Sequence, residues 1–316
     1  MATRKAAETG KSGGTGRSGR ASAGAGANRS PTGKATRHAG GSAPVRRRGK
    51  AAGRALITGA SAGIGAELAR VFAAHGHDLV LVARSADKLE ALATELGNAH
   101  GVATRVIPLD LARRGAPAEL VATLHDAGVE IDILVNNAGV IEVGRFPAIA
   151  TDRMLQLLDL NAGALTALTS VLLPDMVARG RGRILNVASI AAFQPVPSMA
   201  VYAATKAYVL SLTEALSEEL RGTGVTLTAL CPGLTDTDMM AGIQAGSATA
   251  RGIPSLLVSS PADVARDGYE ALMAGEVVRV AGLGNRIAVG WSRAAPRWLV
   301  RVVAGLASRQ ADWMRR

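Results

Sequence analysis

Tyr202 and Lys206 stand four residues apart in Tyr-Ala-Ala-Thr-Lys, and Ser189 lies thirteen residues before the tyrosine. A spacing of four puts a phenol and an ammonium on the same side of a helix, one turn apart. A free phenol has a pKa of about 10, too high for a base at neutral pH unless a neighbouring cation favours the phenolate. Far upstream, Thr58-Gly59-Ala60-Ser61-Ala62-Gly63-Ile64-Gly65 follows the apolar run Arg54-Ala55-Leu56-Ile57-Thr58. Glycines between a strand and a helix let the backbone turn tightly and bring free amide groups to a pyrophosphate at the helix amino terminus. Together these residues read as a phenol that exchanges a proton beside a nicotinamide cofactor, the chemistry of an oxidoreductase.

The elements that must position them alternate short apolar runs with longer helical patterns. Strands are expected at 54–58, 78–83, 102–107, 131–135, 183–187, 225–230 and 277–280. Helices are expected at about 64–75, 85–98, 118–127 and 151–178, and from the Tyr202 segment to about Arg221. Continuous apolar strands between helices predict an α/β fold, a Rossmann-type doubly wound parallel sheet in a single domain, with ligands at the carboxyl ends of the strands. Residues 234–260 read as an irregular or short-helical insertion placed where a substrate lid would lie.

Composition divides the chain. Residues 1–50 hold twelve Lys or Arg and one acid, Glu8, a net charge of +11; the rest carries 24 basic and 24 acidic residues. The high net charge therefore describes a tail of Gly, Ala, Ser, Thr, Lys and Arg that has too little to bury to offset the entropy of ordering. We expect a disordered basic low-complexity tail at 1–50, an NAD(P)-binding domain at 51–285, and a basic amphipathic carboxyl-terminal helix at 286–316. The run Val45-Arg46-Arg47-Arg48-Gly49-Lys50 could touch nucleic acid or anionic lipid nonspecifically, but no specific nucleic-acid partner is expected. One cysteine, Cys231, excludes an internal disulfide and a cysteine-based metal site, and the five histidines lack ligand spacing near carboxylates, so no metal is expected. No apolar run reaches the ~20 residues needed to span a bilayer. A cytoplasmic protein, or one peripheral at a membrane surface, is expected.

With Asn136-Asn137-Ala138-Gly139 after the fourth strand and Pro232-Gly233 after the sixth, these motifs resemble the short-chain dehydrogenase/reductase family, single-domain type, in order and approximate spacing over about residues 54–280. The resemblance implies that Tyr202 is the general acid in carbonyl reduction and the base in the reverse oxidation. It implies that Lys206 lowers the phenol pKa and holds the nicotinamide ribose, that Ser189 orients the substrate oxygen, and that Asn161 holds a water in a proton relay. Gly59, Ser61, Gly63, Ile64 and Gly65 would contact the cofactor in the glycine turn. Asp110 would meet the adenine ring, Asn136 and Gly139 would shape the cleft, and Thr235 after Pro232-Gly233 would meet the nicotinamide carboxamide.

The second strand ends Leu81-Val82-Ala83-Arg84-Ser85, with no acid until Asp87. An NAD enzyme usually places an acid there for the ribose hydroxyls, whereas Arg84 offers a planar fork to a 2′-phosphate. Ser61 could add a hydroxyl contact. NADP(H) is therefore expected over NAD(H). Ile190, Ala191, Ala192 and Phe193, then Met239, Met240, Ile243, Ile253, Leu256 and Leu257, are apolar and suit a lipophilic ketone or secondary alcohol, or else they pack the insertion or a subunit contact. A homo-oligomer is expected by analogy. Pro296 to Arg316 form a basic amphipathic helix with Leu299, Val302, Val303, Leu306 and Trp313 on one face, suited to an anionic membrane surface or to docking on the body or a partner subunit. The competing functional class is a catalytically silent cofactor-binding regulatory protein on the same fold; the intact Ser189, Tyr202 and Lys206 count against it.

Overall fold

A computed structural model of the chain describes residues 52–236 and 258–313, with side chains as far as residue 306. The basic tail at 1–50 and the insertion residues Met239, Met240, Ile243, Ile253, Leu256 and Leu257 lie outside the described residues.

The first half of the sheet is built from β1 (Arg54–Thr58), α1 (Gly63–Ala74), β2 (Asp78–Ala83), α2 (Ala86–His100), β3 (Thr104–Pro108) and α3 (Ala116–Asp126). The second half follows with β4 (Ile133–Asn136), α4 (Thr151–Leu158), α5 (Leu165–Ala178), β5 (Gly182–Val187), α6 (Ala200–Glu219), β6 (Val225–Cys231), α7 (Pro261–Ala274) and β7 (Val278–Val280). Two more helices close the described chain, α8 (Leu283–Ala294) and α9 (Arg297–Trp313). All seven strands pair in one sheet in the order β3-β2-β1-β4-β5-β6-β7, every pairing parallel. After β3 the chain returns to the middle of the sheet, so β1 and β4 are neighbours whose following segments run to opposite sides. Such a switch point opens a crevice at the carboxyl ends of the strands.

Strand alternation decides which residue meets which layer. Ile133 and Val135 of β4 face a layer made by Leu68 and Phe72 of α1, Leu89 and Leu96 of α2, and Leu272 of α7. Leu134 faces the other layer, with Leu120 and Leu124 of α3 and Leu168 and Met176 of α5. Burial of both faces explains why these strands read as continuous apolar runs.

Three features depart from the expected elements. The helix expected over 151–178 is interrupted by a π-turn at Asp159–Ala164, between α4 and α5. An 18-residue window of that run has mean hydropathy 1.4, so the chain does contain a run apolar enough to span a bilayer. It buries Leu165, Leu168, Leu172 and Met176 and contains Pro174, which makes it a core helix of this sheet. The carboxyl-terminal segment is two helices, not one: Ala295 is extended (φ −75°, ψ 144°) ahead of Pro296, as the steric demand of proline on its predecessor requires. The first of them starts at Leu283, inside the range assigned to the nucleotide-binding domain. Helix α7 was not foreseen, although Ser260 caps it by accepting from the Asp263 amide at 3.1 Å and Pro261 opens it.

Candidate active site

Lys206 lies on α6 with 6% of its surface exposed, and its Nζ donates to the Val187 carbonyl at 2.7 Å. Burial brings its pKa down to about 8. One turn earlier on the same helix is Tyr202, whose ring centroid is 5.7 Å from that nitrogen. Burial raises the Tyr202 phenol above its ordinary value, and a hydrogen bond with Ser189 pulls in the opposite direction. The free protein therefore keeps the phenol protonated, the form that can give a proton. Ser189 follows β5 at the start of a short 3-10 turn, Ile190–Phe193, where its Oγ accepts from the Ala191 amide at 3.1 Å. Its hydroxyl thus meets both the Ala191 amide and the Tyr202 phenol.

Asn161 sits in the π-turn, 2% exposed. Its Oδ1 accepts from the Val140 amide at 2.8 Å, and its Nδ2 donates to the Val140 carbonyl at 2.9 Å and to Thr205 Oγ1 at 3.3 Å. A π-turn widens a helix locally and is frequent at functional sites. Here it turns an amide out of the helix to bridge the loop after β4 to α6. Ser198, between the 3-10 turn and α6, is the sole non-glycine residue with positive φ (65°) among the described residues. Backbone strain of this kind gathers where geometry is over-determined.

Gly59, Ser61, Gly63, Ile64, Gly65, Arg84, Asp110 and Gly139 line one cleft of about 380 Å³ at the switch point. The glycines are there for space. A Cβ on Gly65 would overlap the Gly59 carbonyl oxygen and Asn137 Nδ2, and one on Gly59 (φ 66°) would fall 2.9 Å from Ala138 Cα. No side chain caps α1 at Ala62 and no acid lies in its first turn, so its leading amides remain for an anion. Arg84 is exposed at the end of β2 and pairs with no carboxylate among the described residues. An uncapped helix, a glycine cradle and an unpaired guanidinium form a donor set that fits a dinucleotide with its phosphates. Gly139 joins this cleft to the phenol and ammonium: a Cβ there would lie 3.2 Å from Asn161 Oδ1 and 3.7 Å from Lys206 Nζ.

Asn136 is corrected. It was expected in the cleft, but its side chain is buried on the α5 side, with Nδ2 donating to Thr169 Oγ1 at 3.2 Å and to Asn186 Oδ1 at 2.9 Å. Its neighbour Asn137 faces the cleft instead and donates to the Thr58 and Gly59 carbonyls at 2.9 and 3.2 Å. Alternation along β4 would have found this, since Leu134 and Asn136 must share a face. Pro232, Gly233 and Thr235 do not line this cleft. They follow β6 beside the 3-10 turn: the Pro232 carbonyl accepts from the Ile190 amide at 2.9 Å, Thr235 is buried, and Asn285 of α8 is packed against Gly233. Two further residues matter here that the motifs did not single out. Thr58 Oγ1 accepts from the amides of Asn137 and Ala138, both at 3.0 Å, and Thr205 Oγ1 links Asn161 to the Tyr202 carbonyl, donating to it at 2.7 Å. Cys231 is buried, and burial pushes its thiol up to about 12, so no thiolate competes for Lys206.

The short chain dehydrogenase family model matches residues 53–248. The chain belongs to the short-chain dehydrogenase family. It is 35% identical over 212 residues to the ketoacyl reductase HetN of Nostoc, covering 65% of this chain and 74% of that one. A short-chain dehydrogenase from Sphingobium yanoikuyae, solved in complex with NADPH, superposes with a TM-score of 0.69 at 35% identity, over 81% of this chain and 95% of that one. The bulky-bulky ketone specific alcohol dehydrogenase from Comamonas testosteroni superposes with a TM-score of 0.67 at 31% identity, over 82% and 95%. This short-chain dehydrogenase is thus an NAD(P)-dependent oxidoreductase with a Rossmann fold.

The cradle makes a direct prediction. Gly65→Ala should weaken nicotinamide nucleotide binding about 5- to 150-fold, the consequence of an overpacking cost of about 1–3 kcal/mol at the cofactor turn. Titration calorimetry would measure it, and unchanged affinity would show that the cradle tolerates a methyl group.

Proposed function

We propose that this dehydrogenase uses NADP(H) in preference to NAD(H) to interconvert a lipophilic ketone and its secondary alcohol, with Tyr202 as the proton-transfer group. The observation that carries the reading is the meeting of the Ser189 hydroxyl, the Tyr202 phenol and the buried Lys206 ammonium beside the glycine-lined cleft. When bound, the reduced nicotinamide supplies hydride to the carbonyl carbon.

The chain's own residues do the rest. Ser189 Oγ turns its hydrogen from the phenol to the carbonyl oxygen and fixes that oxygen within reach of the phenol. Tyr202 gives its proton to that oxygen as negative charge develops there, and takes it back in the oxidation. Lys206 spends one proton on Val187 and keeps two for ribose hydroxyls, while its charge steadies the phenolate left behind. The side chain of Asn161 is committed on both sides, so its part in a proton relay falls to the main chain of the π-turn.

Arg84, exposed and without a carboxylate partner among the described residues, supports NADP(H); the first acid after β2 is Asp87, already within α2. A lipophilic substrate is supported by the apolar Ile190–Phe193 turn next to Ser189 and by the likeness to the bulky-ketone enzyme. Exposed Phe146, Leu155, Leu158 and Val171, on and around α4 and α5, support a homo-oligomer built on that side.

Tyr202→Phe should lower turnover by about 10²–10⁴-fold, the usual share of a positioned acid, while nucleotide binding persists. Surviving turnover over a panel of bulky and polar ketones would remove Tyr202 from the role. Arg84→Ala should cut the NADPH-over-NADH preference in kcat/KM by roughly 10- to 100-fold, the worth of a charge-assisted hydrogen bond. An unchanged ratio would return Arg84 to solvent. Because kcat/KM for the nucleotide reports the free enzyme, it should fall as pH rises through about 8, where Lys206 loses its charge. The phenol, raised by burial, adds no limb below its ordinary range, so a flat profile to about pH 10 would contradict the role given to Lys206.

A further inference from the structure

Helices α8 and α9 carry the same pattern fifteen residues apart. Leu283, Ile287 and Trp291 line one side of α8, with Arg286 between them in sequence; Trp298, Val302 and Leu306 line one side of α9, with Arg301 in the matching place. These six apolar side chains are between 47% and 73% exposed, whereas each helix turns a single valine, Val289 or Val300, fully inward. Spacings of i, i+4 and i+8 make a narrow apolar stripe, and the arginine at i+3 falls to one side of it.

The charge on these helices is mostly of one sign. From Leu283 to Trp313 there are five arginines and one acid, Asp312. Arg286, Arg293, Arg297 and Arg301 pair with no carboxylate among the described residues. All three tryptophans of the chain, Trp291, Trp298 and Trp313, fall in these two helices. Tryptophan and arginine around an apolar stripe are what a helix in the plane of a bilayer interface presents.

We propose that α8 and α9 are a docking surface for an anionic lipid bilayer, the apolar stripes entering the headgroup boundary and Arg286, Arg297 and Arg301 meeting lipid phosphates. Charge complementarity selects this occupant over a second copy of the chain, which would bring arginine against arginine. Lipid binding at this surface goes beyond the reductase reading, and turnover is not needed to observe it.

The placement of the tryptophans supplies the test, because the basic tail at 1–50 would also draw the chain to anionic vesicles without touching their emission. The full chain would be titrated with vesicles of phosphatidylcholine alone and of phosphatidylcholine with phosphatidylglycerol. The expected result is a blue shift of tryptophan emission, quenched by brominated acyl chains, with the anionic vesicles only. Arg297→Gln with Arg301→Gln should weaken that partitioning about thirtyfold, from about a factor of five per arginine. Ile287→Asp with Val302→Asp, both exposed sites where circular dichroism should stay native, should abolish the shift. Co-sedimentation without any change in emission would assign the membrane contact to the tail and overturn the proposal. So would an emission shift that appears without lipid as protein concentration rises, together with a doubled mass in sedimentation, since a second copy would then cover the stripes.

Discussion

A protonated amine held almost out of water is the constraint on which this site depends. Removing an ammonium from solvent is costly, and Lys206 recovers part of that cost through a single backbone carbonyl, Val187, at 2.7 Å. The arrangement holds only if α6 cannot shift along β5. A chain of buried polar contacts prevents it: Asn186 of β5 donates to Thr213 of α6 at 2.9 Å and accepts from Asn136 of β4, which also reaches Thr169 of α5. Asn136 therefore bears on the site from a distance, by fixing the helix that carries the phenol and the ammonium. Polar groups in an apolar layer specify register because each must find its partner.

The cofactor cleft rests on a comparable lock. Thr58 closes β1 by accepting two amides of the loop after β4, and Asn137 returns two hydrogen bonds to the backbone of the glycine turn. Neighbouring strands are thus tied at the switch point, where no further strand pairing can hold them. The missing Cβ atoms of Gly59 and Gly65 allow that closeness. Gly139 carries the same loop past Asn161 and Lys206, so the glycine cradle and the buried ammonium share one connection.

Most of the sheet was legible in the sequence because buried parallel strands must be continuously apolar, and the residues at their carboxyl ends carry the motifs. Strands β3 and β4 begin two residues later than expected, at Thr104 and Ile133, since apolar character extends past the last ladder pairing. Asn136 was misplaced because a motif read as a string ignores the pleat that sends adjacent asparagines to opposite faces. The π-turn at Asp159–Ala164 leaves no mark in helical periodicity; it is imposed by Asn161 reaching Val140 and Thr205, which are distant in sequence. Pro296 marks the point where the helix expected over 286–316 divides, and glycines at 284 and 290 dilute the pattern that would set α8 apart.

Helix α8 has two sides with different neighbours. On its inner side Asn285 is packed against Gly233 and bonds the Ala281 carbonyl at 2.7 Å, and the Arg293 guanidinium lies 5.6 Å from the ring centroid of Phe193. Gly233 and Phe193 belong to the two loops that meet where the Ile190 amide donates to the Pro232 carbonyl. Phe193 ends the short turn that begins at Ser189. On its outer side the same helix exposes Leu283, Ile287 and Trp291. A surface that takes up the outer side therefore covers a helix whose other contacts reach the turn that begins at Ser189.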